Sequence, residues 1–292
     1  MGHEHKEITM KPELSTLTTE TFRSLPLVAE GESKEVRYYG DGQVVIRLKP
    51  TIYSYTHNRT GEIPGSDTAR LRVIQSLLPV LLSAGIAHSY KSVTDTWILS
   101  DLVLQPITKN EKRFVPTDMT DEALAELSIA PPVEVVAKAV HSGTPKHRYY
   151  NFENYPTRLE GTYVGPEANY PAPFIRFDWR NPMYDATGTR LADEVLPEPM
   201  ANWFIDVDEA RKTAITAYAA LRKHFQAKGL DLWDICFFVA EDGKKMFGEV
   251  SPDCMRVRSL GAESLDKDIW RRGGSSDVVL EKWNKLADIL SA

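Results

Sequence analysis

The residues best suited to chemistry lie close together late in the chain, where Asp253, Arg256, Arg258, Asp266, Lys267, Asp268, Arg271 and Arg272 fall within twenty positions. Guanidinium forks grip phosphate or carboxylate groups, and interleaved acids orient the arginines, bind hydroxyls or hold a metal. On composition alone the same residues are equally consistent with a solvated, salt-bridged loop, because surface ion pairs are common and weak. Two other loops carry candidate anion ligands. Gly31-Glu32-Ser33-Lys34 opens a hairpin, where glycine lets the backbone approach a phosphate and Lys34 supplies charge; it is neither a Walker loop nor a dinucleotide fingerprint. His141-Ser142-Gly143-Thr144 ends a strand, and its hydroxyls and glycine amide suit an anion nest, although such loops are usually turns. Lys146 and His147 add donors nearby, but no acid or cysteine sits there at metal-ligand spacing.

The elements that must position these groups are legible in part. An apolar run from Asp231 turns at Glu241-Asp242-Gly243-Lys244, returns through Met246-Phe247-Gly248-Glu249-Val250 and breaks at Ser251-Pro252-Asp253, which predicts a hairpin delivering the charged loop. Strand, turn at Asp41-Gly42 and strand follow the first loop. Ser66-Asp67 cap a helix over 68–84 that buries Ile74, Leu77, Leu78, Leu81 and Leu82, carries a kink at Pro79 and stops at Gly85. Residues 96–99 and 102–104 read as strand, and Thr120-Asp121-Glu122 starts a short helix. Val133-Glu134-Val135-Val136-Ala137-Lys138-Ala139-Val140 is a strand running into the His-Ser-Gly-Thr loop. Residues 151–208, rich in proline and aromatics, read as a long ordered excursion over the active face, since loops of that length tend to be functional. Two core helices complete the chain. One runs from Val207 or Asp208 to Lys228, with Ala214, Ile215, Tyr218, Leu221, Arg222 and Phe225 at helical spacing; the other is capped at Ser276 or Asp277 and packs Val278, Val279, Trp283, Leu286 and Leu290. The clustering of strands predicts an α+β architecture.

The 292 residues are 42% hydrophobic and 26% charged, an ordinary globular composition that argues against disorder. A formal net charge of −6 gives no global pull toward nucleic acid, so an anion site must be a local concentration of Arg and Lys. Cys236 and Cys254 are too few for a disulfide framework and read as two buried thiols in a reducing, cytoplasmic setting. No apolar run is long enough for a membrane span, the N-terminal residues show no signal core, and His3 and His5 fall in what reads as a frayed polar tail.

In order along the chain, Gly31-Glu32-Ser33-Lys34, Gly61-Glu62-Ile63-Pro64-Gly65, Pro132-Val133-Glu134-Val135-Val136 leading to Gly143-Thr144, Glu249-Val250-Ser251-Pro252-Asp253 with Arg256, and Leu265-Asp266-Lys267-Asp268 with Arg271 resemble SAICAR synthetase, the purine-pathway ligase. The resemblance spans about residues 27–290. It implies an α+β fold with mainly antiparallel sheets and an ATP-type cleft between two sub-domains: a polar tail over 1–24, a nucleotide-type sub-domain over 25–108 and a larger ribotide-type sub-domain over 109–292. It further implies a ligase that uses ATP and Mg²⁺ to join an amino acid, aspartate in the family, to the carboxylate of an aminoimidazole ribotide. By the same resemblance Asp253, Glu249 and Lys138 are catalytic. Ser142, Gly143, Thr144, Arg256, Asp266, Lys267 and Arg271 would bind substrate, and Gly31, Ser33, Lys34 and Glu134 would bind cofactor. The metal ligands stay unassigned. The partners expected are small molecules and neither nucleic acid nor membrane; a homo-oligomer is left open.

The departures from the family pattern concentrate on the nucleotide and metal half. A lysine usual in the first loop is Glu32; in the first strand of the hairpin a lysine is Cys236 and a metal-binding acid is Phe238; an acid on the returning strand is Gly248; and an arginine is Lys138. Three functions are compatible with them. One is a working ligase whose metal ligands are rearranged to Glu32, Glu249 or Asp234. Another is a diverged relative acting on a related nucleotide-like substrate in specialised metabolism, with altered or lost ATP and Mg²⁺ use. The third is a ribotide-binding protein without turnover.

Overall fold

The computed structural model describes residues 13–54, 59–109, 112–143, 150–180, 183–189, 191 and 193–292. Residues 13–24, assigned from sequence to the polar tail, are folded. Thr18 Oγ1 accepts the Thr21 N–H at 3.1 Å and caps α1 (Thr19–Ser24), and Phe22 is buried against Trp97 with ring centroids 4.8 Å apart. The apolar Leu17 and Phe22 explain the difference: they have a core to enter. His3 and His5 lie outside the described residues.

The first sheet is built from β1 (Leu27–Glu30), β2 (Lys34–Gly40) and β3 (Gln43–Leu48), which is followed by a small ribbon of β4 (Thr51–Ser54) and β5 (Arg59–Glu62). Asp41 and Gly42 both adopt positive φ in the β2–β3 turn, the backbone such a tight hairpin requires. Helix α2 (Ser66–Ser83) then crosses to β6 (Ala87–His88), β7 (Tyr90–Val93) and β8 (Ile98–Asp101), giving a sheet of order β1-β2-β3-β8-β7. The α2 N-cap is Gly65 rather than Ser66, and Leu82 is half exposed where the sequence pattern buries it. The stripe is nonetheless two-sided. Leu71, Ile74 and Leu78 pack on the first sheet, while Val73, Leu77 and Leu81 enter the core beneath the second.

After α3 (Asp121–Ala125), the second sheet assembles from β9 (Val133–Val140), β10 (Asn169–Trp179), β11 (Leu230–Phe237) and β13 (Met255–Ser259), in the order β10-β9-β11-β13 and antiparallel throughout. Strand β10 corrects the reading of 151–208 as an excursion. Pro171 and Pro173 disguise it, and they are tolerated because β10 is an edge strand whose register shifts between Asn169 and Phe174. After α4 (Glu198–Ala201), helix α5 (Val207–Ala227) covers the sheet, burying Ala214, Tyr218, Leu221 and Phe225; Ile215 faces outward. The Tyr218 hydroxyl donates to the Leu232 carbonyl at 2.6 Å.

The predicted hairpin after Asp231 is also revised. Its tip forms, with Gly243 at φ +72°, Met246 bridged antiparallel to Val239 and the Phe247 N–H donating to the Phe238 carbonyl at 3.0 Å, but the return is short, and β12 (Lys245–Met246) also pairs in parallel with β6. The long partner of β11 is β13, beyond the Ser-Pro-Asp break. Pro252 carries no N–H for a ladder, so the chain loops out there and pairs only after it has turned. The short α6 (Asp268–Arg271) and α7 (Ser276–Ser291) close the chain. Ser275 rather than Ser276 or Asp277 caps α7, and Val278 is partly exposed. Among the described residues no helix is long and apolar enough to cross a membrane.

Candidate functional site

A cleft of two connected chambers separates the sheets. The larger, of about 370 Å³, is roofed by the β1–β2 loop with Gly31, Glu32 and Ser33, and walled by Lys34 at the start of β2. Val36, Val44, Ile46 and Leu102 give it an apolar slot suited to a planar ring. Phe238, Phe247, Arg180 and Glu249 close its far side. Glu249 is gripped by Arg70 from α2, with Nε at 3.2 Å and Nη2 at 2.6 Å, and accepts a third bond from the Ser251 hydroxyl at 2.8 Å. Burial works to raise its pKa, but Arg70 and Lys34 hold it down to about 2. Burial lowers the pKa of Lys34 and also that of Arg180.

Phe238 stacks on Phe247, ring centroids 5.7 Å apart, and a Cβ built on Gly248 would stand 2.8 Å from the Phe238 side chain. A side chain at 248 would meet both the ring and the Cβ of Phe238. Behind them His88 accepts the Tyr90 N–H on Nδ1 at 3.0 Å, which leaves Nε2 to donate to the Gly248 carbonyl at 3.1 Å. Burial pushes this imidazole down to about 4, so it is neutral at ordinary pH.

The smaller chamber, about 180 Å³, is lined by alternate residues of the second sheet: Glu134 and Lys138 from β9, Arg176 and Asp178 from β10, Asp234 and Cys236 from β11, and Arg256 from β13. A register shift between Leu232 and Asp234 changes the phase of β11, so that Ile235 and Phe237 enter the core while Asp234 and Cys236 face the chamber. Asp234 pairs with Lys138 and accepts from Arg256 Nη1 at 2.8 Å. Burial opposes its ionisation, yet Arg256 and Lys138 hold its pKa at about 2. Burial lowers Lys138 to about 8, against the pull of Asp234. Asp268 collects Arg256 Nε at 3.1 Å, Arg258 Nη2 at 2.6 Å and Arg271 Nη1 at 2.6 Å. Gly143, at φ +63°, lies against this cluster, and a Cβ there would sit 2.6 Å from the Arg256 guanidinium. Asp253 and Lys267, paired at 3.0 Å, line both chambers.

The fold thus gathers Gly31, Ser33, Lys34, Glu249, Asp253 and Lys267 around the larger chamber, and Glu134, Lys138, Arg256 and Arg271 around the smaller. Glu134 accepts the Cys236 thiol at 3.1 Å. Asp266 differs from the expectation of substrate contact: it is fully buried, accepts the Val257 and Asp268 N–H groups at 2.6 and 2.7 Å, and pairs with Arg258. Ser142 is buried and donates to the Val140 carbonyl at 3.5 Å. Thr144, Lys146 and His147 lie outside the described residues. Both cysteines are free thiols, with the Cys236 N–H donating to the Cys254 carbonyl at 2.9 Å. Sequence reasoning missed Arg70, Arg180, Arg176 and Asp178. Arg70 interrupts an apolar helix stripe, and the Asp-Trp-Arg triplet follows an apolar run; both were available as signals.

Among the described residues, no group of three or more His, Cys, Asp and Glu side chains is placed to hold a metal ion. Glu249 spends both oxygens on Arg70 and Ser251, Asp234 spends Oδ2 on Lys138 and Arg256, and Phe238 and Gly248 offer no side-chain oxygen. This donor set does not fit a Mg²⁺ ion held by protein carboxylates. A nucleotide fits better, through the apolar slot and the cations at its end.

Fold and cleft together define an α+β protein with a cation-lined, two-chambered cleft between antiparallel sheets. The chain belongs to the SAICAR synthetase family, whose profile matches residues 27–288. It is 25% identical over 315 aligned positions to the bifunctional cordycepin biosynthesis cluster protein 3 of Cordyceps militaris, a match covering 90% of this chain and 32% of that protein. The chain therefore spans about a third of that relative's length. The fold matches the phosphoribosylaminoimidazole-succinocarboxamide synthase of Ehrlichia chaffeensis with a TM-score of 0.69 at 17% identity, covering 91% of this chain and 99% of the other. A SAICAR synthetase in complex with ADP matches with a TM-score of 0.68 at 17% identity, covering 91% and 97%.

Proposed function

We propose that the protein is a carbon–nitrogen ligase of the SAICAR synthetase type, forming an amide between the carboxylate of an aminoimidazole ribotide and an amino acid. The observation that carries this reading is the pair of connected chambers sharing Asp253 and Lys267, one apolar with cations at its end, the other lined by Lys138, Arg256 and Arg271. A nucleoside triphosphate in the larger chamber would supply the phosphoryl group that activates the carboxylate; that a structural relative forms a complex with ADP supports the use of a nucleotide. Gly31, Ser33 and Lys34 would hold its phosphates, and Arg256 and Arg271 the ribotide. Lys138, with its lowered pKa, stands where an amine or carboxylate would react. Asp253, at the junction, would orient Lys267 between the two ligands. Incubation with ATP, aspartate and carboxyaminoimidazole ribotide is expected to give the amide and ADP by mass spectrometry. Absence of both with every amino acid offered would remove the ligase reading.

A second reading is favoured by Phe238 and Gly248, which stand where the family pattern has acids, and by the cordycepin-cluster relative. On it, the protein acts on a related nucleotide-like substrate in specialised metabolism, with altered use of ATP and metal. Calorimetry that shows ribotide binding alongside undetectable ATP binding is the outcome this reading expects, and tight ATP binding counts against it.

A further inference from the structure

Two cations that line the larger chamber lie beside one aromatic ring. Lys34 Nζ lies 5.3 Å and Arg180 Cζ 5.8 Å from the centroid of the Phe238 ring. Among the described residues, neither makes an ion pair within 4.0 Å, and the side-chain hydrogen bond of Arg180 goes to the neutral Gln105 Oε1 at 3.2 Å. Glu32 also lines the chamber, and three of its other acids are committed elsewhere. Glu249 is bound by Arg70 and Ser251, Asp253 by Lys267, and Asp101 by Lys91 at 3.0 Å and Lys245 at 3.5 Å. Burial lowers the pKa of both cations, against the opposing pull of Glu249 on Lys34 and of Glu134 on Arg180.

Among the described residues, no three acidic, His or Cys side chains gather beside these cations to hold a metal. Phe238 has no side-chain oxygen, and a side chain at 248 would collide with both its ring and its Cβ. A polyphosphate bound here would meet an ammonium and a guanidinium fork directly, and the negative charge that a divalent ion neutralises elsewhere would be met by Lys34 and Arg180. The π-system of the ring attracts both cations.

We propose that this chain binds the polyphosphate of a nucleotide through direct contacts with Lys34 and Arg180 across the Phe238 ring, without a bridging divalent cation. This rests on the nucleotide reading of the larger chamber but not on amide formation. The test is calorimetric titration of the full chain with ADP, once in EDTA and once in excess Mg²⁺. The dissociation constants are expected to agree within about threefold, since free ADP already satisfies the site. Arg180→Gln, and separately Lys34→Met, should weaken ADP in EDTA by about tenfold, the loss of one charge-assisted contact. Thermal unfolding of each variant confirms that it folds. Affinity at least about tenfold tighter with Mg²⁺ in the unaltered protein would overturn the proposal while leaving the ligase reading intact. Unchanged affinity in both single-cation variants would overturn it equally. Failure to bind ADP under either condition removes the proposal and the nucleotide reading together. Metal-free binding with no amide product leaves the proposal standing and removes only the ligase.

Discussion

Two residues of the cleft show how a single side chain carries consequences beyond its own contacts. Gly143 is required by the close approach of Arg256 as well as by its positive φ. Gly143→Ala should cost about 1–3 kcal/mol, the usual penalty for a non-glycine residue held in the left-handed region, plus the displacement of a guanidinium fixed by Asp234 and Asp268. Urea unfolding in a double-mutant cycle with Arg256→Ala separates the two causes: the alanine should cost less once Arg256 is gone, and strictly additive losses would show that only backbone strain matters. His88 gives a pH signature. Its folded pKa is about 4, against 6.5 for a free imidazole, so between those values the unfolded chain binds more protons. Stability contributed by the neutral ring is therefore complete above about pH 6.5, falls as pH drops toward 4, and then levels off, a loss of about 2–3 kcal/mol by pH 4.5. His88→Gln cannot take that proton. The stability gap between the two proteins should shrink by that amount from pH 7 to pH 4.5 in urea titrations; a gap that holds constant would mean His88 does not titrate as its burial dictates. The loss from Glu249 and Asp234, whose depressed carboxylates protect the fold until pH falls through about 2, is common to both proteins and cancels.

Among the elements, the second sheet decides which residues become a site. Alternation along β9 sends Val133, Val135 and Ala137 to the core and Glu134 and Lys138 to the cleft. On β11 the shift near Trp233 is needed for the same outcome, since a strict period of two would carry Asp234 and the buried Leu232 to one face. Local patterns of this kind were legible: α2, α5, α7, β9 and the Asp41-Gly42 turn follow from periodicity and turn chemistry. The pairing of β11 with β13 was not, because nothing within the 241–244 turn states that the return strand will be abandoned at Pro252. Strand β10 was hidden by two prolines that an edge position permits. The charged residues were recognised as a group, but sequence could not separate Arg256 and Arg271, which line the chamber, from Asp266, which lies beneath them and holds Arg258 and the backbone. Ion pairs among residues eight to fifteen positions apart look alike in sequence, whichever side of the strand they take.

At the scale of the molecule, α2 is the structural link between the cleft's two sides. One stripe packs on the first sheet, the opposite stripe enters the core of the second, and Arg70 between them fixes Glu249 in the cleft. A helix that belongs to both cores couples their stabilities, because neither sheet can lose its cover without exposing the other's apolar face. Leu77 is fully buried on the second-sheet side and touches no part of the cleft. Leu77→Ala should therefore destabilise by about 2–5 kcal/mol, as expected for truncating a buried leucine. It should also lower the melting of both lobes together. Differential scanning calorimetry is expected to show one transition in the unaltered protein and one, at lower temperature, in the variant. If the sheets instead melted in two resolved steps, with only the later-chain step moved by the substitution, α2 would be a passenger on the first sheet and the cleft would be held by its ion pairs alone. The buried Arg70–Glu249 pair makes that alternative unattractive on physical grounds: a desolvated ion pair is sustained by a surrounding core, and this one spans the boundary between two.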